Sequence, residues 1–266
     1  MNLLCLNCWG GTLHDRLLPY LASTTADVLC LQEIVHTPVS DKAILVYRDG
    51  DHVLDQQANL FQEIQDALPD FTGTFCPAAQ GVLWDGDVAV PSQWGLATFV
   101  RKALPVVSQH QGFVHKAFSP HGYGDHPRSR SAHAIRVFDY AQDRFVSIAH
   151  MHGLRDLQGK GDTPARRRQA ERFLALLDSV AEAGDLRILC GDFNVRPDSE
   201  TLALLGRAGF TELVTTRTNR GTRNSFYKKA ERHADYLLVD QPDRVNRFDV
   251  VFDPEVSDHC PLVAGL

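Results

Sequence analysis

Leu186-Arg187-Ile188-Leu189-Cys190-Gly191-Asp192-Phe193-Asn194 is an apolar run that ends in a glycine, a carboxylate and a carboxamide. Residues 186–190 have the length and apolar content of a buried strand, which sets the phase of the residues beyond it. With a period of two, positions 192 and 194 share a face and Phe193 points the other way, into a core. A carboxylate beside a carboxamide can orient a water molecule and hydrogen-bond a phosphoryl oxygen. Taken alone, Gly-Asp-x-Asn is also a common turn.

The same design recurs at three other places. Leu29-Cys30-Leu31-Gln32-Glu33 ends an apolar strand in a carboxylate, and Leu6-Asn7-Cys8-Trp9 ends the first strand in an asparagine. Ser257-Asp258-His259-Cys260-Pro261 sets a hard oxygen ligand beside an imidazole just ahead of the final strand. Such a pair suits a site where a metal and a base or phosphate clamp are neighbours. Each has an ordinary alternative as a turn, cap or surface residue. Strand ends are nevertheless where scaffolds present reactive side chains.

Around these motifs, short apolar segments predict strands at 3–6, 28–31, 71–75, 96–100, 132–138, 145–149, 186–190, 236–239 and 250–252. Helical spacing is clearest over 166–181, where Ala170, Phe173, Leu174, Leu177 and Val180 form one stripe, with Thr163-Pro164 as the start and Gly184 as the stop. Weaker helices are predicted at 15–21, 58–68 and 201–205. Strands and helices mix without clean alternation, which predicts an α+β sandwich rather than a doubly wound parallel sheet. Motif residues extend from 7 to 259 and no linker intervenes, so one domain over 1–266 is expected. Residues 35–57, 77–93 and 119–129 read as polar, loop-like insertions rimming the site.

Composition narrows the class. At 266 residues, 44% hydrophobic and 23% charged, the chain is an ordinary globular enzyme in make-up, and no apolar run is long enough to span a membrane. The N-terminal Met1-Asn2-Leu3-Leu4-Cys5-Leu6 lacks a basic region and a cleavage site, so it reads as a first strand and not a signal peptide. Six cysteines are present. Cys5 and Cys8 differ in parity on a strand, and no second pair has chelating spacing, so buried free thiols in a reducing, cytoplasmic setting are expected. The net charge of −6 argues against a uniformly basic surface. Arg217, Arg220, Arg223, Lys228, Lys229 and Arg232 nonetheless cluster in 215–232, and Arg166-Arg167-Arg168 and Arg128-x-Arg130 are further basic groups. Such clusters are either a solvated face or a phosphate-attracting rim.

Taken in order, Asn7, Glu33, Gly191-Asp192-x-Asn194 and Ser257-Asp258-His259 resemble the endonuclease/exonuclease/phosphatase superfamily, which includes deoxyribonuclease I and neutral sphingomyelinases. The strand ending Ala149-His150-Met151-His152-Gly153-Leu154 looks like that family's catalytic-histidine strand. Ala234-Asp235-Tyr236-Leu237 looks like the strand carrying its orienting aspartate. His152-Gly153-Leu154 through Gly161-Asp162-Thr163-Pro164-x-Arg166-x-x-Gln169 resembles a bacterial branch of unassigned substrate, and Asn7-Cys8-Trp9-Gly10 resembles the sphingomyelinases. The resemblance implies a four-layer α/β sandwich of two packed, mostly antiparallel sheets flanked by helices. It implies Glu33 as principal Mg²⁺ ligand with Asn7 and Asp258 nearby, Mn²⁺ being able to substitute. Asp192 would orient or deprotonate the attacking water, and Asn194 would hold it or a phosphoryl oxygen. His259 would contact the phosphate or act as base with Asp235 fixing its tautomer, and His152 would stabilise the transition state. His150 shares a strand face with His152, and a sphingomyelinase-like alignment would select it instead.

A hard cation suits these oxygen ligands, since a phosphodiester is anionic and its developing charge must be neutralised. No His-Glu-x-x-His spacing favours zinc. The basic run ahead of Asp235 makes a nuclease acting on nucleic acid the first reading, as a monomer. A phospholipid is the second, with Trp84 and Trp94 reaching a membrane interface. A small phosphorylated metabolite is the third, and a non-catalytic binding module on the same fold is the fourth.

Overall fold

Asn2–Asn7 (β1) and Val28–His36 (β2) lie side by side and parallel, with Asn7 opposite Gln32. Parallel neighbours need a crossover, and the helix His14–Ala22 (α1) supplies it. The structure is a computed structural model that describes residues 1–218 and 220–266. Next come Ile44–Asp49 (β3), His52–Gln57 (β4), Leu60–Ala67 (α2), Phe71–Asp85 (β5) and Val88–Arg101 (β6). The second half holds Val106–His115 (β7), Arg130–Asp139 (β8), Arg144–His152 (β9), Pro164–Asp178 (α3) and Leu186–Asp192 (β10). Glu200–Arg207 (α4), Thr211–Glu212 (β11), Val214–Arg217 (α5), Asp235–Val239 (β12), Arg247–Val250 (β13) and Leu262–Gly265 (β14) complete it.

Among the described residues these strands form an eight-stranded sheet, β13-β14-β1-β2-β6-β5-β3-β4, and a six-stranded one, β11-β12-β10-β9-β8-β7. Strand parity assigns the faces. Leu3, Cys5, Val28 and Cys30 turn toward Ala134, Ile148 and Ile188 of the second sheet. Leu4, Leu6, Leu29 and Leu31 turn outward onto Leu17 and Leu21 of α1 and Leu60 and Ile64 of α2. On the opposite side, Phe173 and Leu177 of α3 with Leu202 and Leu205 of α4 close the second sheet. The result is the four-layer sandwich, each sheet covered by helices. The Thr163 hydroxyl accepts the Arg166 amide at the start of α3, as the Thr-Pro pair predicts.

Two of the three expected loops are strands. Residues 44–57 form the β3–β4 hairpin, and residues 77–93 are the far halves of β5 and β6, paired as far as Asp85 opposite Val88. Only 119–129 stays irregular. The edge strand β7 carries no sequence signal, because half of its residues are exposed and the exposure does not alternate. The strand expected at 250–252 instead occupies β13, where Val250 pairs with Leu262.

Candidate active site

Strand register brings the motif residues to one rim. Asp192 at the end of β10 lies opposite His152 of β9 on one side and Asp235 of β12 on the other. Gly191 permits this close approach, because a Cβ there would lie 2.0 Å from the Met151 carbonyl oxygen. From the facing sheet, the Asn7 amide donates to Glu33 Oε1 at 3.2 Å and to Asp192 Oδ2 at 3.1 Å, bridging the two sheets. Glu33 sits at a β-bulge with φ +55°, which turns its carboxylate out of the strand pattern toward the rim. Asn194 also has a positive φ, +53°, with its amide on Asp192 Oδ1. Phe193 is fully buried against Phe173 and Tyr236, as parity requires.

The two histidines of β9 separate. His152 Nε2 lies 3.8 Å from Glu33 Oε1 and 3.7 Å from Asp192 Oδ2, with its ring against Trp94. His150 is one pleat deeper, between the sheets, where its ring nitrogens meet Gln32 at 3.3 Å and Thr98 at 2.7 Å. It does not line the cleft.

His259 Nδ1 is 2.8 and 2.9 Å from the two Asp235 oxygens, and the Thr222 hydroxyl donates to the same carboxylate. Burial, aided by Arg223, pushes the His259 imidazole down to about 4, and burial raises Asp235 to about 6. At neutral pH the pair is a neutral ring beside a carboxylate. The ring's Nδ1–H is then held by Asp235, leaving the Nε2 lone pair facing the Asp192 and Asp258 carboxylates, each 3.7 Å away. Arg223 joins Asp258 at 2.5 Å and approaches Asp192 at 4.0 Å.

Negative charge is crowded here. Burial, then Asp258, raise Glu33 to about 7 despite the Asn7 hydrogen bond. Asp258 Oδ1 and His152 Nδ1 are buried without a hydrogen-bond partner among the described residues. Unsatisfied oxygens among repelling carboxylates fit a divalent cation. Asp192, Asp235 and His259 each offer a ligand atom within 4.8 Å of the others, a buried group able to hold a metal. Asp235 already binds His259 Nδ1 and both Asp192 oxygens accept amide hydrogen bonds, so among the described residues the oxygens without a hydrogen-bond partner are Glu33 Oε2 and Asp258 Oδ1.

The motif residues open into a cleft of about 890 Å³. Several of its walls depart from the expectations raised by the sequence. Trp94 lies inside the cleft under the Arg130 guanidinium, 5.1 Å from the ring centroid, and Trp84 is covered by Arg48. Of the 215–232 basic residues, Arg223 and Lys229 line the cleft. Arg217 binds the carbonyls of Pro242 and Val245, Arg232 those of Asn224 and Tyr227, and Arg220 lies on Phe252. Arg166 binds the carbonyls of Leu154, Gly159 and Gly161, and Gln169 accepts the Leu154 amide. The Gly-Asp-Thr-Pro-x-Arg-x-x-Gln run therefore anchors the 153–161 loop. All six cysteines are free and buried. Among the described residues no helix is long and apolar enough to cross a membrane.

A two-sheet sandwich with carboxylates, amides and imidazoles converging at one rim defines a class of hydrolytic scaffold. The sequence profile of the Endonuclease/Exonuclease/phosphatase family matches residues 4–259. The chain belongs to this family, whose members are phosphoric ester hydrolases. Its fold is similar to a Bacteroides thetaiotaomicron mannosyl-6-phosphatase at TM-score 0.70 and 15% identity, covering 100% of this chain and 98% of that one. It is also similar to a Bacteroides vulgatus endonuclease/exonuclease/phosphatase at TM-score 0.67 and 17% identity, over 99% and 97% of the two chains. The human Nocturnin catalytic domain matches at 0.66 and 17%, over 99% and 92%. A sequence comparison with curated proteins finds no match.

Proposed function

We propose that the protein is a Mg²⁺-dependent phosphoesterase whose substrates are phosphate esters of small polar molecules. The observation that carries the catalytic part is the convergence of Glu33, Asp192, Asp258 and Asn7 beside His152 and the His259–Asp235 pair. Glu33, Asp258 and Asn7 would hold the cation, which when bound polarises the phosphoryl oxygens and neutralises the charge that builds on them. His259, with its Nδ1 proton held by Asp235, presents Nε2 as the base for the attacking water. Asp192 and Asn194 orient that water, and His152 donates to a phosphoryl oxygen. Water's oxygen bonds to phosphorus as its proton passes to His259 Nε2, the bond to the leaving oxygen breaks, and that oxygen takes a proton from solvent as the alcohol departs.

The substrate class is supported by the cleft. It is of small-molecule size and walled on several sides. Half of the basic run that favoured a nucleic-acid backbone, Arg217, Lys228 and Arg232, is engaged with loop carbonyls, and Trp94 faces inward rather than toward a lipid surface. The fold likeness to a mannosyl-6-phosphatase points the same way. The test is a panel with Mg²⁺: sugar phosphates, mononucleotides, an aryl phosphate, plasmid, short oligonucleotides and sphingomyelin. Turnover of the small esters is expected. Preference for plasmid or oligonucleotide would return the nuclease reading to first place, preference for sphingomyelin the lipid reading. A folded protein inert on all of them would favour a binding module.

A further inference from the structure

Beyond His152 the 153–161 loop leaves the sheet and carries Lys160 back to the cleft wall. The backbone at Lys160 is held from both sides. Gly159 turns the chain at φ +115°, which a side chain would strain, and its amide donates to the Asp156 carbonyl at 3.1 Å. The Arg166 guanidinium, 2% exposed, donates to the carbonyls of Gly159 and Gly161, the residues on either side of Lys160. The Lys160 ammonium itself donates to the His233 carbonyl. His233 precedes Ala234, whose carbonyl accepts the Phe193 and Asn194 amides at 2.8 and 3.2 Å, and then Asp235, which lies opposite Asp192. The ammonium is thereby set beside the end of β10, at the edge of the reacting groups.

Tying down a loop does not call for this group. Arg166 already satisfies the loop's carbonyls, and a neutral donor would serve His233 as well as a charged one. A half-buried ammonium carries a desolvation cost. Burial lowers the Lys160 ammonium from its ordinary range, and the Asp192 charge opposes that shift most. Among the described residues Lys160 forms no ion pair, whereas Arg223 is joined to Asp258 at 2.5 Å. An ammonium has three N–H groups, and with one on His233 two are left for the cleft. We infer that Lys160 is a phosphate-binding residue, its two remaining N–H groups taking a non-bridging oxygen of the phosphoryl group that Asp192 and Asn194 serve. Glu33, Asp192 and Asp258 repel an anion, and Lys160 offsets that repulsion where the substrate must approach them. The role rests on the hydrolytic reading above only for the choice of phosphate as the anion.

The experiment is calorimetric titration with inorganic phosphate, in Mg²⁺, of the wild type, Lys160→Gln and Lys160→Arg, with Tm measured for each. Glutamine can still donate to the His233 carbonyl but carries no charge, and arginine keeps the charge. Lys160→Gln should weaken phosphate binding about 10- to 100-fold, the usual worth of a charge-assisted hydrogen bond, and Lys160→Arg should recover most of the loss. Tm should stay within about 2 °C of wild type in both. With an aryl phosphate, Lys160→Gln should raise KM by the same factor and leave kcat within about threefold, since the ammonium meets substrate and transition state alike. Unchanged phosphate affinity in Lys160→Gln, or both variants losing affinity together with several degrees of Tm, would overturn the assignment and leave Lys160 a loop tie. A wild type that does not bind phosphate would overturn it as well. Lys160-dependent phosphate binding without turnover of any ester would instead sink the hydrolytic reading and keep the binding site.

Discussion

His150 and His152 sit on the same face of the same strand, and truncating each to alanine should give opposite phenotypes. His152 faces Glu33 and Asp192 across 3.8 and 3.7 Å and lines the cleft. Losing one donor to the developing oxyanion costs about 10²–10³ in kcat, or roughly 3–4 kcal/mol of transition-state stabilisation. Its few hydrogen-bonded neighbours mean little change in folding stability. His150 is enclosed between the sheets, held by Gln32 and Thr98, with His133 on the far side of the same threonine. His150→Ala removes two hydrogen bonds and leaves a cavity, a loss of roughly 3 kcal/mol in stability. Gln32 immediately precedes the Glu33 bulge, so loosening it should cost about tenfold in kcat. The assay pairs kcat at saturating Mg²⁺ with urea denaturation of both variants. A stable but inactive His150→Ala, or a His152→Ala retaining more than about a tenth of wild-type kcat, would refute the roles derived from this geometry.

Dialysis against EDTA should abolish turnover and lower Tm, and Mg²⁺ should restore both; at about 100 times its Kd the cation adds roughly 2.7 kcal/mol by linkage alone, and a Tm indifferent to Mg²⁺ would count against the carboxylate site. Asp192→Asn should cost about three orders of magnitude in kcat, because the carboxylate acts on the attacking water more than on the bound substrate, and a parallel rise in KM would contradict that. Far from the cleft, burial alone would raise Asp185, but hydrogen bonds from Arg136, the Glu182 amide and Ser147 overcome it and hold the carboxyl below its ordinary range. Its contribution is therefore present above the unfolded value of about 3.9 and lost as pH falls through the folded one, so Asp185→Asn should destabilise by roughly 3 kcal/mol near neutrality and progressively less in acid, measured by denaturation across pH.

Asn7, His152 and Asp192 were legible as a rim because each ends a strand, and parity aims Asp192 away from the buried Phe193. The hairpin wall of the cleft was not, and the reason is physical. In the β3–β4 hairpin the usual pattern is inverted: Ile44 and Val53 are 51% and 58% exposed, while Tyr47 and Gln56 line a polar cleft. A hydrophobic-in rule reads such a segment as a loop. The 215–232 arginines divide in a way composition does not show: Arg217 and Arg232 satisfy loop carbonyls while Arg223 lines the cleft, and a guanidinium fork suits a carbonyl as readily as a phosphate. The same ambiguity applies to His150 and His152. Strand parity treats them alike, yet His150 pairs across from His133 and Cys190, one pleat inside the sandwich, and His152 pairs with Asp192 at its edge. What separates a packing histidine from a cleft-lining one here is where the facing sheet stops, a boundary marked by the Asn7 amide joining Glu33 to Asp192. That bridge is made by the last residue of β1 and the last of β10, 185 positions apart in the chain, and only folding brings them into contact.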